Sequence, residues 1–179
     1  MTTYKISELI SPVFYDSHRM IRDGLITEDV ETGGRGSAKS SFCSVELVWQ
    51  LLRHPECHAI VLRQQANTLR ESVYTEILKA INRMGIKSKF KCTVSPMECV
   101  YKPTGQKIMF AGLDDPNDMK GVTVPFGYIG IGWFEELDGF RSKEQIRSAE
   151  QSIFRGGPYK LCLKSFNPPA MARNWANQY

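Results

Sequence analysis

The residues best suited to chemistry come early in the chain, in the run Gly33-Gly34-Arg35-Gly36-Ser37-Ala38-Lys39-Ser40. Its spacing follows the phosphate-loop pattern G-x-x-x-x-G-K-[ST], with Ala38 where the last glycine usually stands. Gly33, Gly34 and Gly36 let successive backbone N–H groups turn inward around a phosphate, and the start of the next helix adds partial positive charge. Lys39 is placed to reach the β- and γ-phosphates of a nucleotide, and the Ser40 hydroxyl to sit on Mg²⁺. Arg35 can fold back on the γ-phosphate. The expected nucleotide-binding segment runs on through Ser37 and Ala38 to Ser41. Ala38 falls at the expected helix start, where a methyl group is tolerated.

A second set is the apolar run Tyr128 to Phe134 followed by Glu135 and Glu136. A strand ending in two acids suits a nucleotide hydrolase, in which Glu135 holds the metal and Glu136 polarises the attacking water. Alone, such a pair is equally a solvated loop; the upstream phosphate loop decides for the chemical roles. Ser165-Phe166-Asn167-Pro168-Pro169 closes the last apolar run. Asn167 either gives its amide to the γ-phosphate or the attacking water, or simply ends the strand. Arg155, ahead of Gly156-Gly157-Pro158, is a second candidate for stabilising transition-state charge, offered to a neighbouring subunit's nucleotide.

Two weaker groupings take bland readings. His54 and His58, with Cys57 between them, straddle Pro55 and suit a metal poorly. Lys87, Lys89 and Lys91 alternate around Phe90, as lysines that keep an edge strand from pairing do. Contact with DNA phosphate is the alternative.

These residues need a scaffold that alternates strands with helices, an α/β pattern. Met1–Ile26 reads as a lead-in. Strands are expected at Thr27–Thr32, His58–Arg63, Phe90–Tyr101, Gln106–Ala111, Phe126–Phe134 and Tyr159–Phe166, with Phe126–Phe134 buried on both faces. Ser37–Arg53 is expected to be a helix with Phe42, Val45, Val48, Trp49 and Leu52 on one face. Leu69–Met84 is a second, burying Val73, Ile77, Ala80, Ile81 and Met84, with Gly85 as its stop. Ser142–Phe154 is a third.

The 179 residues are 42% hydrophobic and 23% charged with a net charge of +4, which fits one folded domain rather than a disordered chain. The mild basicity permits a nucleic-acid partner without demanding one. The longest uncharged apolar stretch, Val124 to Phe134, is too short to cross a bilayer, and no secretory leader pattern opens the chain. Five irregularly spaced cysteines without a C-x-x-C pair support neither a disulfide framework nor a zinc ribbon, and fit a reducing, cytosolic setting.

Together the motifs resemble those of the ATPase half of tailed-bacteriophage terminase large subunits, motors that package DNA into procapsids. The resemblance is carried by residues 33–40, by Val-Leu-Arg-Gln (61–64), and by Thr-Gly-Gln-Lys-Ile-Met-Phe-Ala-Gly-Leu-Asp-Asp (104–115). Trp-Phe-Glu-Glu (133–136) and Ser-Phe-Asn-Pro-Pro (165–169) complete it. It implies a RecA-like P-loop NTPase fold of the ASCE type, with a mainly parallel central sheet flanked by helices. An extra strand is expected between the two nucleotide motifs. It also implies roles for Arg35 and Asn167 in hydrolysis and its coupling to motion, and ATP and Mg²⁺ as cofactors. The implied partners are double-stranded DNA, a portal protein, a small terminase subunit and like subunits in a ring, with no membrane. Many relatives have Asp-Glu where this chain has Glu135-Glu136, so the longer Glu135 is expected to bind the metal through water.

An adenine-contacting segment is expected before the phosphate loop, with Tyr15 and Arg19 as candidates. The resemblance further implies a single ATPase domain over 1–179 without the family's nuclease domain, expected to be either an excised part of a longer chain, the favoured reading, or the partner of a nuclease on another chain. It also implies a host-cytoplasmic motor docked transiently on the procapsid. Two alternatives stay open. One is another ATP-driven nucleic-acid enzyme, such as a helicase or recombinase-like strand handler; the other is a nucleotide-gated capsid-docking module with little turnover.

Overall fold

Each apolar run becomes part of one sheet in the computed structural model, which describes residues 5–114, 119 and 122–179. Met1–Tyr4 of the lead-in and Asp115 of the Gly-Leu-Asp-Asp motif lie outside the described residues. The strands are β1 (Glu28–Thr32), β2 (Cys57–Arg63), β3 (Phe90–Val94), β4 (Met97–Tyr101), β5 (Gln106–Gly112), β6 (Tyr128–Glu135) and β7 (Leu161–Phe166). Their order across the sheet is β1-β7-β6-β2-β5-β4-β3. The first five in that order run parallel, and β4 and β3 add an antiparallel extension. Every residue of β2 and β7 is buried, as is β6 up to Glu135, which explains why these runs read as apolar without alternation.

Helices α1 (Tyr15–Arg22), α2 (Lys39–Arg53), α3 (Thr75–Arg83) and α4 (Lys143–Ile153) cover the sheet. One face packs Val61, Trp133 and Leu163 against α1, α2 and α3; the other packs Ile60, Leu62, Phe134 and Cys162 against α4 and the turn at Trp175–Gln178. The phosphate loop and both acidic and Asn motifs fall where β1, β6 and β7 end, the carboxyl edge at which open α/β sheets bind ligands.

Several expectations change. The lead-in contains α1, whose buried His18 places Nδ1 2.7 Å from Glu46 Oε2 on α2. That contact and α3 leave α2 covered on more than one side. Cys43, Leu47 and Leu51 are therefore fully buried, while Trp49 and Leu52, expected in the core, are only partly so. Leu69–Met84 is not one regular helix but a π-helical turn at Arg70–Tyr74 leading into α3, with all five expected core residues buried. Phe90–Tyr101 is a hairpin rather than one strand, because Pro96 has no N–H to continue a ladder.

Cys92 and Cys99 face each other on that hairpin, Cα atoms 4.0 Å apart, as a cross-strand disulfide. The spacing supports no disulfide framework, and this one pair escapes it because pairing across a hairpin depends on register and not on a short motif. His58 uses both ring nitrogens on backbone groups, Phe126 O at 2.9 Å and the Lys107 N–H at 3.0 Å. No helix among the described residues is long and apolar enough to cross a membrane.

Candidate nucleotide-binding site

After Thr32 the chain leaves β1 and turns through Gly33 and Gly36, whose φ values of +152° and +77° are costly for residues with a Cβ. Ala38 shares that left-handed region at φ +63°, and α2 begins only at Lys39. The sequence places Ala38 at the helix start, where a methyl group is tolerated. The structure corrects this: the position asks for glycine, and alanine there costs about 1–2 kcal/mol.

Lys39 is buried, and its ammonium donates to Gly33 O at 2.7 Å, Gly34 O at 3.1 Å and Ser37 Oγ at 2.8 Å. A further contact reaches Asn167 Oδ1 at 3.0 Å. Burial pushes the Lys39 pKa below its usual value, opposed by the negative field of Cys43, Glu31 and Glu135. Arg35 is exposed at the loop's outer turn.

The strand β6 ends at Glu135, and the left-handed turn at Glu136 sends the two acids in different directions. Glu135 turns inward, its side chain 13% exposed, and accepts a hydrogen bond from Ser40 Oγ at 3.3 Å. Its other oxygen lies 2.8 Å from Arg63 Nε, yet off the line of the N–H, so that oxygen has a counter-charge and no hydrogen bond. Burial raises the Glu135 pKa, with help from Glu136; Arg63 and Ser40 oppose the shift. A buried carboxylate oxygen without a hydrogen bond, beside a serine hydroxyl, is a hard-oxygen donor set that fits Mg²⁺.

Glu136 takes φ +54° and turns outward, its side chain 61% exposed, into an ion pair with Arg63. Arg63 thereby holds both acids from the end of β2. Its remaining nitrogen donates to Ser72 Oγ at 2.9 Å, on the π-helical turn, and Ser72 donates in turn to Thr68 O at 2.7 Å. From sequence, Arg63 ends an expected strand and sits in the Val-Leu-Arg-Gln motif without a role. A lone cation closing an otherwise apolar strand was the available signal.

These groups open onto a cavity of about 440 Å³ lined by Arg35 to Ser41, Glu135, Glu136 and Asn167, with Glu76 from α3 on its far wall. The structure thus gathers Arg35 to Ser41, Glu135, Glu136 and Asn167 around one cavity, while Gly33 and Gly34, also expected there, meet it only through their carbonyls on Lys39. Arg155 is not among them; it sits exposed beyond α4 with Nε donating to Ser152 O at 2.9 Å. Tyr15 and Arg19 are also absent from the lining, bonded instead to Ser7 O and Asp16.

The family described as phage terminase large subunit matches residues 27–179. The terminase large subunit of Bacillus phage SPP1 is 29% identical over 182 residues, covering 99% of this chain and 43% of that protein. The PBSX phage terminase large subunit of Bacillus subtilis strain 168 is 31% identical over 149 residues, covering 82% of this chain and 32% of that one. The chain therefore spans less than half the length of either curated relative.

Among solved structures, the HK97 bacteriophage large terminase superposes with TM-score 0.66 at 13% identity, over 94% of this chain and 35% of that one. The N-terminal domain of the DNA packaging ATPase from bacteriophage phi29 gives 0.63 at 15% identity, over 88% and 81%. At such identities the likeness establishes the RecA-like fold. With the family match running from β1 to the last residue, the chain belongs to the phage terminase large subunit family.

Proposed function

We propose that this chain is a Mg²⁺-dependent ATPase whose turnover drives double-stranded DNA into a viral procapsid. The observation that carries this reading is the convergence of Lys39, Ser40, Glu135, Glu136 and Asn167 on one cavity at the sheet's carboxyl edge. The loop's backbone N–H groups and Lys39 bind the β- and γ-phosphates. Ser40 and Glu135 hold Mg²⁺, which when bound neutralises charge on the phosphate oxygens. Glu136 orients and polarises the attacking water. It does so after leaving Arg63, because a carboxylate held in an ion pair is a weaker base. Asn167 meets the γ-phosphate from β7, and Arg35 stabilises the charge that builds on its oxygens.

The fold shared with a protein named as a phi29 DNA packaging ATPase supports this reading. We assign as partners duplex DNA, a portal protein, a small terminase subunit and further copies in a ring, with Arg155 facing a neighbour. The setting is the host cytoplasm, with transient docking on the procapsid. Binding of a fluorescent ATP analogue with Mg²⁺ tests the first step. Wild type binds and Lys39→Ala weakens binding by about tenfold or more; failure of the wild type to bind contradicts the reading.

A further inference from the structure

The chain's positive charge is not spread evenly. Residues 83–107, from the end of α3 through the β3–β4 hairpin to the start of β5, hold six Lys and Arg against the single acid Glu98. That segment carries a net +5 where the whole chain carries +4, so everything else sums to about neutral. Glu98 is neutralised locally by Lys107 at 2.9 Å. Arg83 is engaged by Ser41 Oγ at 2.6 Å and by Leu9 O. Lys87, Lys89, Lys91 and Lys102 remain. Among the described residues none of the four has a carboxylate partner, and all but the half-buried Lys89 are exposed.

Protection of an edge strand accounts for only one of them. Lys91 lies on β3, the edge of the sheet, whereas Lys87 and Lys89 lie on the 3-10 turn before it and Lys102 lies in the turn after β4. Off the strand, a lysine blocks no ladder. What the fold does with them is gather them: Lys102 N donates to Lys89 O at 2.8 Å, and Lys91 stands opposite Val100, which stands opposite Lys107. Cations from three segments thus meet at one end of the hairpin.

The patch is also tied to the nucleotide cavity. Glu76 on the first turn of α3 lines that cavity, Arg83 on its last turn donates to Ser41 of the phosphate-loop helix, and Lys87 follows four residues later. Helix α3 therefore runs from the cavity wall at Glu76 to Arg83, and a turn through Gly85 leads from its end to Lys87.

We infer that Lys87, Lys89, Lys91 and Lys102 form the surface that grips the phosphate backbone of duplex DNA, coupled through α3 to the nucleotide site. The inference rests on the proposed motor function and supplies the contact surface that reading leaves open. Such contacts read no sequence and release counter-ions, so each contributes about 0.9 to the slope of log affinity against log salt.

The test uses the full chain, a random-sequence DNA duplex and a salt titration. The Lys87→Ala/Lys89→Ala/Lys91→Ala/Lys102→Ala variant is expected to bind duplex about tenfold or more weakly and to lose about 3.6 from the salt slope. Its Mg-ATP binding and basal phosphate release stay at wild-type level while stimulation by DNA disappears. The matching Lys→Arg variant keeps duplex binding. Should the alanine variant misfold, the single exposed changes Lys87→Glu and Lys102→Glu each weaken duplex binding and take about 0.9 or more from the salt slope.

Unchanged affinity and slope in these variants would overturn the inference, as would a wild type that ignores duplex at low salt. Equal affinity of the wild type for polyglutamate would also overturn it, pointing to an acidic protein partner. Loss of ATP binding by the wild type counts instead against the proposed function, and leaves the lysine surface to be judged by its own salt slope.

Discussion

The Lys39 ammonium and the Asn167 amide oxygen lie 3.0 Å apart although 128 residues separate them in the chain. The bond fastens the phosphate loop to the end of β7, just beyond the point where Thr32 pairs with Phe166. In the proposed function Asn167 shares its partner with the γ-phosphate that Lys39 binds. Nucleotide occupancy and the position of the β7 end are then linked through one side chain.

Asn167→Ala is expected to lower kcat for ATP hydrolysis by about 10²-fold, the usual cost of losing one preorganised donor, with ATP affinity little changed. Steady-state phosphate release and equilibrium ATP binding separate the two effects. A variant that loses binding and keeps kcat would assign Asn167 to ground-state affinity instead.

Arg63, 7% exposed, is the counter-charge of both Glu135 and Glu136. Removing one partner of a buried pair costs about 3–5 kcal/mol, and the exposure of Glu136 reduces the expectation here to about 2–3 kcal/mol. Urea unfolding of Arg63→Ala should show that loss, and adding Glu135→Gln should restore part of it by removing the stranded charge. A double variant no more stable than Arg63→Ala would show that Arg63 acts through Ser72 and Thr68.

Ala38 holds φ +63° at the entry to α2. Ala38→Gly relieves the left-handed strain of about 1–2 kcal/mol and gives back part of it in unfolded-chain entropy. The expected net is a stabilisation of about 0.5–1 kcal/mol in chemical denaturation.

Asp29 on β1 is buried with Oδ2 lacking a hydrogen-bond partner. Burial first, and then Glu31, push its pKa up to about 7; the Ser17 hydroxyl opposes this and Glu46 adds to it. Between its unfolded pKa of about 3.9 and that value the native state keeps a proton the unfolded chain gives up. Stability therefore falls as pH rises through this window and levels off above it. Asp29→Asn removes the fall, and should melt several degrees above wild type near pH 8 while differing little near pH 4.

The phosphate loop, the Glu135-Glu136 pair and Asn167 were legible because adjacent residues fix their chemistry, and an apolar strand precedes the acidic pair and Asn167. The mainly parallel sheet was legible too, since β2, β6 and β7 read as unbroken apolar runs. Arg63 was not, because its partners come from the neighbouring strand and from a π-helical turn that sequence periodicity does not reveal. The left-handed Ala38 was hidden by a motif that also describes a helix start. The break at Pro96 and the Cys92–Cys99 pairing depend on a hairpin register that alternation across Phe90–Tyr101 conceals.

Steady-state phosphate release from Mg-ATP, by the wild-type chain and by Glu136→Gln, tests the central claim most directly. The account predicts measurable turnover in the wild type, a fall of about 10²–10⁴-fold in the variant, and ATP binding retained in both. Equal turnover in the two proteins, or bound ATP with no turnover in either, would contradict hydrolysis directed by Glu136.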